Sequence, residues 1–202
     1  MTAGLTAEPA LRASIVAPAV VGGFLWIPYG ILELLQPWGV DVRYDDFLGY
    51  DVVVDRRLHL VYGLPGSLAL VLCAVGLLGL MTRLGARSRA VTSFAGLAAA
   101  LGVTSAVGIA VGFDPAFTGG RILGTLVLGL GVVAAARACR SGPWRSAFAF
   151  VGVLALFLLP LWPLVFAVQW IAPAAGAALI GLHGLAWMAL GIAASRPRHP
   201  DW

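Results

Sequence analysis

The chain has 202 residues, 60% of them hydrophobic and 11% charged, with a formal net charge of +4. Soluble domains carry about 25% charged residues, so this chain has too little polar surface to face water as one globule and reads as an integral membrane protein. Its arginines lie in short segments between apolar runs and form no basic patch, so a nucleic-acid partner is not expected. Lysine and asparagine are both absent; their codons are AT-rich, which suggests a high-GC bacterial genome.

About 20 apolar residues cross the hydrocarbon of a bilayer. Runs of that kind lie near 13–35, 60–82, 91–112, 121–137, 146–170 and 173–194. Each must be helical, because single strands leave their backbone groups unpaired in lipid. The expected fold is therefore an all-α bundle of six transmembrane helices forming one domain over 1–202. The first run is long enough to span, and Glu8 precedes Arg12 where a signal peptide would be basic, so it is read as a retained helix. It places Gly22, Trp26, Tyr29 and Glu33 on one face, at spacings of four, seven and eleven residues from the first.

The 36–59 segment gathers Asp45, Asp46, Asp51 and Asp55, then Arg56 and Arg57. Read as a helix, "DVVVD" would set Asp51 and Asp55 on one face, as in enzymes that bridge carboxylates to a diphosphate through Mg²⁺. The wider motifs of such enzymes are missing: no Asp-Gly…Ala-Arg segment precedes the pair, and no second aspartate cluster follows. Aromatic and apolar residues are interleaved with the acids, which suits an ordered outer loop at headgroup depth. No metal site is expected there.

The second run carries His59, Tyr62, Gly66 and Cys73 on one stripe. In the third, Gly96, Ala100, Thr104, Gly108 and Gly112 recur every four residues and predict a face for close helix packing. The fourth is short and begins at Arg121, which is read as an outer-side residue. The fifth holds Pro160 and Pro163, which predict a kink. The last carries Gly176, Ile180, His183 and Trp187 on one face. His183 falls at mid-membrane, where an ionisable side chain is expensive unless it has a partner or a function. Cys73 and Cys139 should lie at different depths, so no disulfide is expected. Two axial haem histidines need matching depths on facing helices; His59 and His183 do not have them, and no cofactor is expected.

Direction follows from arginine. Arg12, Arg83, Arg87, Arg89, Arg137, Arg140, Arg145, Arg196 and Arg198 share one side if six spans are drawn. That side should be cytoplasmic, with both termini inside and 36–59 outside, in the cytoplasmic (inner) membrane of a bacterium. No Walker A, Gly-x-Ser-x-Gly, His-Glu-x-x-His or Cys-x-x-Cys motif is present. In size and topology alone, the chain is similar to the substrate-binding subunits of vitamin transporters.

Three functions remain open. The leading expectation is a protein that binds or translocates a small neutral or apolar molecule, with Trp26, Tyr29, Glu33, His59, Tyr62 and His183 lining an outward pocket and a partner subunit docking on the cytoplasmic loops. The second is a membrane-embedded enzyme acting on a lipid or isoprenoid, with Glu33, His183, Asp51 and Asp55 as its catalytic groups. The third is an accessory or scaffold subunit of a membrane complex.

Overall fold

The computed structural model of the protein describes residues 4–35, 41–86, 88–139, 142–158 and 173–196. These form six helices and one hairpin: α1 (Gly4–Leu35), β1 (Val42–Asp45), β2 (Tyr50–Val53), α2 (Arg56–Leu84), α3 (Arg89–Val111), α4 (Asp114–Ala138), α5 (Pro143–Leu158) and α6 (Pro173–Ser195). Five helices hold windows long and apolar enough to cross a membrane, and the chain is a multi-pass membrane protein. Pro160 and Pro163, with the kink predicted for them, lie outside the described residues.

The helices pack in chain order. α1 lies between α2 and α6, α3 between α2 and α4, and α5 against α4; contacts between α5 and α6 close the bundle. Glycine sets the tightest seams, since in lipid close packing replaces the hydrophobic drive for helix association. A Cβ on Gly23 would fall 2.6 Å from Gly184 O, and one on Gly184 would fall 2.5 Å from Gly23 O, so the α1 and α6 backbones touch there. On the other side of α1, Gly22 faces Cys73 and Gly66 faces the Tyr29 ring. Gly85 (φ 69°) and Gly112 (φ 76°) end α2 and α3 in the left-handed conformation that side chains with a Cβ avoid.

The every-fourth-residue stripe of α3 is not the seam. Gly96, Ala100 and Thr104 are exposed, and nothing lies within 4 Å of a Cβ on Gly96. Val91, Ala95, Ala98, Gly102, Ser105 and Ile109 are buried instead. A helix turns about 100° per residue, so four-residue steps drift about 40° each. The stripe therefore starts on the outer face of the bundle and reaches α4 only at Gly108, whose Cβ would meet Phe117 N at 2.5 Å. The buried set alternates steps of four and three and stays on one side.

The acidic stretch also differs from its reading as a helix face. Asp51 lies in β2, opposite Tyr44. Asp55 is the N-cap of α2 and accepts from Arg57 N and Leu58 N, both at 3.0 Å. Asp45 accepts from Phe47 N and Leu48 N and holds the hairpin turn. The hairpin rests on the α3–α4 turn, where Val52 bridges Phe113 and Tyr50 meets the Phe113 ring edge-on. α2 begins at Arg56, four residues before the expected span, because Asp55 supplies the cap.

α4 begins at Asp114, seven residues before the expected span, with Pro115 in its first turn. This moves Arg121 from an outer-side residue to about 10 Å along a helix, where it is buried. Cys73 and Cys139 are free and buried. Cys139 stands just beyond α4, where burial pushes its thiol up.

Candidate functional site

The predicted faces of α1, α2 and α6 do turn inward: Gly22, Trp26 and Tyr29, then His59, Gly66 and Cys73, then Gly176, Ile180, His183 and Trp187, are all buried. Together with α4 they build one continuous buried array. It begins at Asp41, at the base of the hairpin, whose backbone oxygen accepts from Val54 N and Asp55 N. The Asp41 carboxylate meets His59 Nδ1 at 3.0 Å, with both side chains buried. The His59 ring stands edge-on to Phe117 at 4.9 Å. The Arg121 guanidinium lies over Phe117 at 4.6 Å and over Tyr29 at 5.3 Å, and donates to the Tyr29 hydroxyl. Tyr29 packs edge-on against Trp26 at 5.7 Å, Trp26 against His183 at 5.5 Å, and His183 against Trp187 at 6.3 Å.

Hydrogen bonding fixes the chemistry of both histidines. The Asp41 carboxylate can only accept, so His59 carries its proton on Nδ1, and in the neutral ring Nε2 is a lone-pair acceptor. The Trp187 indole can only donate, and it donates to His183 Nε2 at 3.1 Å. His183 in its neutral form therefore carries its proton on Nδ1. Among the described residues, neither His59 Nε2 nor His183 Nδ1 has a hydrogen-bond partner, and both rings are 1% exposed. Leaving a buried polar group unpaired costs about 1–3 kcal/mol, which is a reason to expect that something else pairs with it. Trp26 Nε1 also lacks a well-formed hydrogen bond; the Cys73 thiol interacts with it, and sulfur is a weak acceptor.

The structure thus brings together Trp26, Tyr29, His59 and His183 from the predicted site. Tyr62 is half-buried on α2, between His59 and Gly66. Glu33 lies in α1, but its side chain is outside the described residues. Three members escaped sequence reasoning. Arg121 and Phe117 were hidden because the α4 start was placed too late; the Asp114–Pro115 pair was the signal that could have moved it. Asp41 stood apart from the other acids and carried no signal of its own.

The alternative catalytic aspartates are not part of this array. Asp55 is spent on capping. Asp51 and Asp41 lie close enough to Asp114 to act on it electrostatically, as does His59, and Thr118 donates to the Asp114 carboxylate. Among the described residues, no three His, Cys, Asp or Glu side chains are placed to hold a metal ion.

A groove of about 550 Å³ opens between α2 and α3, near Met81, Thr82, Ser88, Arg89 and Thr92. It lies at the opposite end of α2 from His59 and joins none of these groups, so the buried array is the better candidate. Comparisons with protein-family models, with curated proteins and with solved structures find no match to this chain.

Proposed function

We propose that this is a six-span protein of a bacterial cytoplasmic membrane, with both termini inside, that binds or passes a small neutral or apolar molecule reached from the outer side beneath the hairpin. The sixth span in this reading is the apolar run near 146–170, which begins in α5 and whose residues after 158 lie outside the described residues. The arginine distribution sets the direction, and any coupling comes from a partner subunit on the cytoplasmic loops. The observation that carries the reading is the pair of unpaired ring nitrogens, His59 Nε2 and His183 Nδ1, at two stations of one buried aromatic array. An apolar wall with a few oriented polar groups is the make-up of a small-molecule site. Thermal unfolding of the full chain in mild detergent, against vitamins, sugars, lipid precursors and apolar carbonyl compounds, tests it. A saturating ligand at 100 times its Kd stabilises by about 2.7 kcal/mol. A panel in which no compound raises the melting temperature contradicts the proposal.

A second reading, an accessory subunit of a larger complex, is favoured by the outward-facing Gly96, Ala100 and Thr104. Small residues on a lipid-facing surface let a partner helix approach. Recovery from mild detergent as a lone monodisperse particle counts against it.

A further inference from the structure

We infer that His183 Nδ1–H is a donor for a carbonyl oxygen of a membrane-soluble ligand, and that a lipid-soluble quinone is the chemical class the setting fits. This rests on the small-molecule reading above and names its ligand. The hydrogen bond from Trp187 holds the His183 proton on Nδ1 and leaves that donor without an acceptor among the described residues. Trp26 Nε1–H is a second donor beside the same ring, and among the described residues it has no partner but the weakly accepting Cys73 thiol.

The inner part of the array thus offers donors, and the ligand must bring acceptors. The Trp26, Tyr29 and Trp187 rings make up the rest of this part of the array, and His183 lies midway along α6. A ligand arriving at that depth is apolar, and one that lies among ring edges is flat. A quinone combines a flat apolar ring with carbonyl oxygens that only accept. Trp26 and His183 are closed to solvent, so entry turns the Trp26 side chain aside, a rotamer change of the kind common on binding. Such a motion should change the tryptophan emission.

The test uses the full chain in detergent micelles, with nitrogen-labelled histidine and decylubiquinone as the probe. The expected result is saturable binding, with the His183 Nδ1–H proton resonance moving downfield as the hydrogen bond forms. His183→Phe keeps a ring, loses the donor, and should weaken binding about tenfold. Trp187→Phe leaves the imidazole free to move its proton to Nε2, and should weaken binding by a smaller factor. If His183→Phe does not fold, the resonance shift in the unaltered protein decides alone. Quinone binding that leaves the resonance in place, or that is equally tight in His183→Phe, overturns the inference. So does a panel in which another compound binds and decylubiquinone does not, an outcome that leaves the proposed function standing.

Discussion

The hairpin cap and the α1–α6 seam use polar groups in opposite ways. In the cap, acids are plentiful and two of them are occupied by the backbone: Asp45 holds the hairpin turn and Asp55 caps α2. Asp41 does both jobs at once, closing the hairpin base through its carbonyl and orienting His59 through its carboxylate. In the seam, polar groups are few, and the His183 donor is left over among the described residues. A conspicuous charge in a loop thus does structural work, while an inconspicuous ring among glycines and tryptophans keeps an unused hydrogen-bonding group. Chemistry is better sought where burial leaves a group unpaired than where charge is densest.

The largest expected effect breaks the cap. Asp41→Ala removes one member of a buried pair and leaves His59 Nδ1–H without its acceptor, so it should cost about 3 kcal/mol of stability. Thermal unfolding in detergent reads this, and faster amide exchange over residues 42–53 would place the loosening in the hairpin. Unchanged stability would mean that the Asp41–His59 pair does not tie the hairpin to α2.

Next comes the seam. Gly184→Val puts a side chain against Gly23 O and Trp26 Cβ, both within 3 Å of the new Cβ. Backbone cannot move aside as a side chain tip can, so this should cost about 2 kcal/mol. Gly96→Ala is the matched control on α3. It meets nothing within 4 Å and should be neutral or stabilise by up to about 1 kcal/mol through helix propensity. Equal effects at the two glycines would remove the distinction between seam and outward face.

The smallest effect separates capping from catalysis. Asp55→Ala should cost about 1 kcal/mol, the usual value of an N-cap, whereas Asp55→Asn keeps a capping oxygen and should be nearly silent. A cellular function lost in Asp55→Asn at unchanged stability would revive the catalytic reading of the acidic stretch.

Much of this contrast was legible in residue order. Helices of the expected class, and the inward faces of α1, α2 and α6, follow from apolar run length and from spacings near 3.6. Two features were not. The hairpin is invisible to periodicity, because Tyr44, Tyr50 and Val52 to Val54 read equally well as a surface helix or as strands. Arg121 made its apolar run appear to start late, since a charge in an apolar helix looks like a boundary until Tyr29 and Phe117 are known to receive it. The α3 stripe failed for a different reason: an exact four-residue repeat looks like a face over two turns and ceases to be one over four.

Everything said of an outward site depends on the hairpin facing out and both termini facing in. Single cysteines at Asp46→Cys, Ser88→Cys and Ser195→Cys, in a background lacking Cys73 and Cys139, test that arrangement in intact cells with an impermeant maleimide. The account predicts labelling at position 46 alone, with 88 and 195 reacting only after lysis. Labelling at 88 or 195 in intact cells, or its absence at 46, would contradict the topology and with it a site entered from beneath the hairpin.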